Sequence, residues 1–309
     1  MLELFSAKKL LSLAALLGVA LAVFWALTVP RFLPNVLNFQ NSGDPVKGED
    51  VFNIAGCGSC HSAEGAEAED KLILSGGRSF PSPFGTFYAP NISPDPEFGI
   101  GDWNTYDLAN AMMNGVSPEG KHYYPSFPYT SFARMDIKDI VDLKAFMDTL
   151  PPSTEPNLPH DLPIFAKWRR PVGVWKQFFF DPSPIYPDSA DGLIERGRYL
   201  VEGPGHCTEC HTSRNPLGGL IPSLYLAGAP NPEGPGFIPN ITPHADGLES
   251  WTESEIAEYL SSGFTPEFDS VGGLMVEVVE NTALLSTEDR RAIAAYLKSI
   301  PPKASPPRE

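Results

Sequence analysis

All four cysteines of the chain fall in one pattern used twice, Cys57-Gly-Ser-Cys60-His61 and Cys207-Thr-Glu-Cys210-His211. A C-x-x-C pair alone serves a redox dithiol or half of a zinc site. A histidine directly after it changes the chemistry. Two thiols one helical turn apart can bond the two vinyl groups of a haem, and the next imidazole then reaches the iron as proximal ligand. Two such motifs that use every cysteine predict two covalent c-type haems, held by Cys57, Cys60, His61, Cys207, Cys210 and His211.

The elements that must position these motifs also occur twice. Cys57 and Cys207 are 150 apart, and Asn91-Ile92-Ser93-Pro94 and Asn240-Ile241-Thr242-Pro243 are 149 apart. Trp103 and Trp251, like Gly115 and Gly263, are 148 apart, and Leu150-Pro151-Pro152 and Ile300-Pro301-Pro302 return to 150. So steady an offset is the mark of a tandem duplication. Asn104 and Thr252 sit at helix N-cap positions with Asp107 and Glu255 three residues on, and Gly115 and Gly263 stop those helices. Asp136 and Ser286 open a last helix in each copy, with Ile140, Leu143, Phe146, Met147 and Ile293, Tyr296, Leu297 on its buried face. Core packing is the plain role for the two tryptophans.

The haem motif, the Asn-Ile-Ser/Thr-Pro loop, the tryptophan helix and the closing Pro-Pro helix, in that order, resemble the class I cytochrome c domains of membrane-associated dehydrogenase cytochrome subunits. Those serve quinoprotein alcohol and flavoprotein gluconate or sorbitol dehydrogenases. The resemblance covers about residues 45 to 302 and implies an all-α chain of two tandem class I cytochrome c domains with long loops, where such relatives typically carry three. The expected organisation is an anchor at 1–31, a first domain at 40–152, a connecting strap at 153–190, a second domain at 191–302 and a tail at 303–309.

An electron-transfer iron takes a second protein ligand, and a thioether raises its potential. Met275 is the only methionine after Met147 and lies between the Gly263 stop and the last helix, where the resembling family places its ligand. The first copy departs from that pattern. The 148 offset puts Phe127 opposite Met275, in Tyr124-Pro125-Ser126-Phe127-Pro128-Tyr129, where the family often has methionine. Met135 is the favoured replacement, matching a second methionine of the family's pattern, with His122 second and an open site third. Met112 and Met113 read as core. His122 has a surface role as its plain alternative, and core filling is the alternative for Met275. Pro216 is a candidate carbonyl partner for the Nδ1 of His211. Arg78, Arg169 and Arg170 are candidates for haem propionates, or solvated surface arginines.

Lys8 and Lys9 precede an apolar run from Leu10 to Val29, and 20 residues at about 1.5 Å each span a bilayer core. A signal peptide cut near Ala20-Leu21-Ala22 is the competing reading, but the apolar run continues through Val23 to Leu27. An uncleaved transmembrane helix follows, with the two lysines inside and all after Arg31 outside, in the periplasm of a bacterium. The 309 residues carry a formal charge of −16, or 19 − 37 = −18 after residue 31, which argues against nucleic acid and suits a basic redox partner. The 33 prolines and 27 glycines make ordered loop, since 42% hydrophobic content excludes disorder. Residues 151–190 hold Trp168-Arg169-Arg170, Trp175 and Phe178-Phe179-Phe180, a stiff strap across both domains, with a membrane-surface or partner-docking patch at Lys167, Arg169 and Arg170 as the alternative.

The function expected is a membrane-anchored dihaem electron carrier. It takes electrons from a dehydrogenase or another donor and gives them to a quinone, cytochrome or terminal oxidase. The rival readings are a dihaem peroxidase using an open first haem and a haem-based gas sensor, the latter without an output domain.

Overall fold

The computed structural model describes residues 7–34, 42–232 and 234–307. The expected domain boundary at residue 40 and the side chain of Lys8 lie outside the described residues. Helix α1 (Ala7–Leu27) is long and apolar enough to cross a membrane, and it is exposed along nearly its whole length.

Two series of elements follow in the same order. The first runs α2 (Pro45–Ile54), α3 (Cys57–His61), the hairpin β1–β2 (Ser79–Ser82, Gly85–Tyr88), α4 (Thr105–Asn114), α5 (Tyr129–Phe132) and α6 (Ile137–Met147). Helix α7 (Val172–Phe179) lies between the series. The second runs α8 (Gly192–Glu202), α9 (Thr208–His211), the hairpin β3–β4 (Ala229–Pro230, Phe237–Ile238), α10 (Glu253–Ser262), α11 (Met275–Ala283) and α12 (Thr287–Ser299). The all-α expectation holds for the cores and is corrected by the hairpins, each of which is a two-stranded antiparallel ribbon. They carry the chain from each haem motif to its Asn-Ile-Ser/Thr-Pro loop.

Local signals explain the helix ends. Asp44 and Asp191 accept from the backbone N–H two residues on, capping α2 and α8. Asn104 with Asp107, and Thr252 with Glu255, form full capping boxes. Gly115 and Gly263 end α4 and α10 in the left-handed conformation, at φ 57° and 75°. Asp136 stands at the N-cap of α6 without a side-chain cap bond, whereas Ser286 caps α12.

Each series closes on its own apolar cluster. In the first, Phe52 of α2 meets Ile140, Leu143, Phe146 and Met147 of α6. In the second, Leu200 and Val201 of α8 meet Ile293, Tyr296 and Leu297 of α12. Glycine allows the close crossing in both: a Cβ on Gly48 would lie 2.0 Å from the Asp142 carbonyl oxygen, and one on Gly197 would lie 1.9 Å from that of Ala292.

The connecting segment touches both halves. Glu155 and Ser153 accept from Asn91, Asp161 pairs with Thr86, and Lys176 donates to the Gly115 carbonyl. On the other side Trp175 donates to the Leu217 carbonyl, and Ile185 donates to Glu202.

The halves differ in the turn that follows α4 and α10, closed by the bridges Val116–His122 and Phe264–Ser270. Gly120 takes φ 71° in the first, and its counterpart at the 148 offset is Phe268, at φ 67° and 86% exposed. The left-handed conformation costs an L residue about 1–2 kcal/mol, and glycine gives back part of that as chain entropy. Phe268→Gly should therefore stabilise the protein by about 0.5–1 kcal/mol, read as a higher denaturant midpoint. A lower midpoint would show that the ring makes contacts worth more than the strain.

Candidate haem sites

Each haem motif is a short helix entered through a left-handed residue, Gly56 at φ 61° and His206 at φ 37°. That turn sets Cys57, Cys60 and His61, and equally Cys207, Cys210 and His211, at positions i, i+3 and i+4, on one face of a helical turn. All four cysteines are free of disulfides. Burial pushes the Cys57 and Cys207 thiols up to about 12. Among the described residues no three His, Cys, Asp or Glu side chains converge on a bare metal ion.

The two histidines are oriented identically. His61 Nδ1 donates to the Pro90 carbonyl and His211 Nδ1 to the Pro239 carbonyl, both at 2.8 Å. This fixes the tautomer and leaves Nε2 to face a metal. Burial lowers both imidazole pKa values and the proline carbonyl opposes it, so the neutral, ligating form is favoured. Pro216 is corrected as the partner of His211, because the carbonyl that meets it comes from Pro239. Both prolines directly precede the repeated Asn-Ile-Ser/Thr-Pro, and their shared 149 offset was the available signal. The asparagines of that motif staple the chain beyond the Pro-Pro pairs: Asn91 donates to the Ser153 carbonyl and Asn240 to the Lys303 carbonyl.

The two motifs also contact each other's halves reciprocally. Ser131 donates to Glu209 at 2.9 Å, and Asn281 donates to Ser59 at 2.9 Å. Residues 131 and 281 differ by 150, and so do 59 and 209, so the same pair of positions meets twice with the halves exchanged. That is the signature of a pseudo-two-fold interface. Arg78 bonds Glu277 at 2.8 Å, and Lys71 bonds Glu280 at 2.6 Å, both tying the first half to α11. Burial works to raise the Glu209 carboxyl, but Arg214, Thr130 and Ser131 together hold it below the usual range.

A cytochrome c family model matches residues 45–151. A "Diheme cytochrome c-type" protein of Cereibacter sphaeroides is 55% identical over 260 residues, which are 84% of this chain and 87% of that one. The chain belongs to the dihaem c-type cytochromes. Two covalently bound haem c groups follow from the family and from the two motifs. The cytochrome c subunit of a quinone-type alcohol dehydrogenase of Gluconobacter oxydans is 36% identical over 82% of this chain and 54% of its own length. That of a gluconate 2-dehydrogenase of Pantoea cypripedii is 34% identical over 82% and 59%. This cytochrome therefore spans little more than half the length of those dehydrogenase subunits.

The remaining candidates of this dihaem cytochrome fall in different settings. Met275 is the first residue of α11 and packs, half-buried, against the second cluster. Met135 lies between α5 and α6, buried in the first cluster that Cys57 and Phe127 also border. Its counterpart at the 150 offset is Leu285, also buried. His122 is not a surface residue: it is 4% exposed, and its Nε2 donates to the Thr28 carbonyl at 3.0 Å, at the end of α1. Met112 is buried as core, as expected. The three arginines meet protein groups, Arg78 as above, Arg169 over the Tyr124 ring and Arg170 over the Trp25 ring.

Proposed function

We propose that the chain is a membrane-anchored carrier of two tandem class I cytochrome c domains, at 40–152 and 191–302. It hands electrons from a dehydrogenase to a quinone, cytochrome or oxidase on the periplasmic side of a bacterial inner membrane. The relatives in which it is matched are cytochrome subunits of dehydrogenases, that is, electron-transfer chains. Each haem supplies a one-electron change at iron, and the protein supplies its attachment, orientation and electrostatics. His61 and His211 hold the proximal sides. Met275 serves the second iron, and Met135 the first, because Met135 is buried in the cluster that Cys57 also borders, while His122 is tied through its Nε2 to the end of α1.

The observation that carries this reading is the reciprocal Ser131–Glu209 and Asn281–Ser59 contact, which sets each haem motif against the other half. Electrons can then cross between haems inside one rigid unit. Acceptor or donor docking has its own feature. Between Arg214 and Arg290 there is no lysine or arginine, and the stretch holds twelve carboxylates. Such a field steers a basic redox protein, at a rate that falls as salt rises.

The test uses the full-length holoprotein with less than one equivalent of reductant. Both haems should share the electron in proportion to their potentials, and transfer to a cationic soluble cytochrome should slow steadily between low and high salt. One haem reduced while the other stays isolated would refute the carrier reading. The equivalence of Met135 with Leu285 favours a second reading, in which the first iron keeps an open side for small ligands. Carbon monoxide binding by the reduced protein at neutral pH would establish it.

A further inference from the structure

The basic, aromatic segment between the two halves packs against the end of α1. We propose that residues 164–170 form an interfacial foot that lies in the lipid headgroup layer beside α1. This rests on the reading that α1 spans the membrane.

The depth of the segment follows from what it touches. The Trp168 ring lies 5.6 Å from the ring of Phe24, and the Arg170 guanidinium lies 3.9 Å from the centre of the Trp25 ring. Phe24 and Trp25 belong to the apolar span Lys9–Leu27, whose 19 residues match the roughly 30 Å of a bilayer core. Phe24 sits three residues, or about 4.5 Å, inside the end of that span. A side chain stacked on it is carried to the same level, within the zone where tryptophan concentrates.

The junction is fixed. Arg170 donates to Thr28 Oγ1 at 2.9 Å and to the Trp25 carbonyl at 3.2 Å, and Gln177 of α7 donates to the Leu27 carbonyl. A Cβ on Gly173 would lie 2.7 Å from Thr28 Cα, so α7 rests directly on the chain leaving α1. His122 completes the clamp from the first half. With α1 held this way, the foot cannot sit far from the membrane plane that α1 defines.

Its surface chemistry suits lipid and suits water poorly. Ile164 is 88% exposed, Phe165 78% and Trp168 58%. No acidic residue occurs between Asp161 and Asp181, whereas Lys167, Arg169 and Arg170 all do, in a chain of net charge −16. Apolar and aromatic side chains flanked by cations are the composition of a segment that inserts among anionic headgroups. The rest of the chain is repelled by the same surface, so this basic stretch also sets which way the haem halves face.

The four native cysteines of the holoprotein are engaged with haem, which leaves an introduced cysteine as the single thiol. Full-length Ile164→Cys, Phe165→Cys, Leu21→Cys and Val46→Cys variants are labelled with a nitroxide and placed in vesicles of phosphatidylcholine and phosphatidylglycerol. All four positions are exposed, so the labels displace no core. Relaxation by oxygen reports lipid, and relaxation by a water-soluble nickel chelate reports water. Labels at 164 and 165 should share the lipid-like ratio of Leu21→Cys and differ at least threefold from Val46→Cys. A lipid-like ratio at 21 with water-like ratios at 164 and 165 overturns the foot and leaves the span intact. A water-like ratio at 21 overturns both.

Discussion

Replacing Met275 with leucine should leave the second haem attached and remove its thioether ligand, lowering that haem's potential by on the order of 0.1–0.3 V. Axial ligands shift haem potentials over a range of about 0.8 V, and a thioether sits at the high end for histidine-ligated iron. Attachment survives because Cys207, Cys210 and the His211–Pro239 contact lie on other elements. Leucine keeps the volume of Met275 where it packs against the second cluster, so the fold should lose less than about 1.5 kcal/mol. The measurements are the sulfur-to-iron charge-transfer band and a spectroelectrochemical titration. An unchanged band and potential would remove Met275 from the second iron.

Met135→Leu is the companion test, and the second half makes it clean. Leu285 already fills the equivalent buried place there, so leucine at 135 should be accepted by the first core. Loss of a second thioether signal assigns Met135 to the first iron. A silent substitution removes Met135 from the first iron and leaves either an open side, read as carbon monoxide binding, or the unpartnered Nδ1 of His122, read as a bis-histidine spectrum.

The parts of this fold that were legible in the sequence are those set within a few residues. The two C-x-x-C-H helices, the capping boxes at Asn104 and Thr252 and the glycine stops at 115 and 263 all depend on local hydrogen bonds, and all are found where expected. Contacts closed by tertiary packing were not. The Pro90 carbonyl reaches His61 across 29 residues, and only the repeat marked the position. His122 looked like a surface histidine or an iron ligand because nothing in residues 116–128 shows that the end of α1 returns to cover it. Arg170 read as a propionate partner for the same reason, its true neighbours lying some 140 residues earlier. The hairpins were missed because Pro81 and Pro230 stand within the strands, and proline argues against a strand except at an edge.

Glu202→Ala should destabilise the protein by about 3–5 kcal/mol, the cost of leaving buried partners without their countercharge. Glu202 is 1% exposed, accepts the Tyr296 hydroxyl at 2.6 Å and the Ile185 N–H at 2.9 Å, and faces the guanidinium groups of Arg198 at 3.8 Å and Arg134 at 3.9 Å. Arg134 comes from the first half and Ile185 from the strap, so one carboxylate gathers three parts of the chain. The repeat shows what this position does otherwise. At the 150 offset Glu202 corresponds to Phe52, and Tyr296 corresponds to Phe146; those two rings pack edge to face at 5.2 Å. An apolar pair thus suffices to join the first and last helices of a half, and the polar version adds the connection to the rest of the chain. Glu202→Gln keeps an oxygen for the tyrosine and should cost less than the alanine variant, with the difference reporting the two arginines. Denaturant midpoints of both variants measure this. A loss under 1 kcal/mol for alanine would show that the arginines find solvent or another carboxylate, and that Arg198–Glu195 and the Arg134 bonds to the Asp181 and Ser183 carbonyls hold the strap alone.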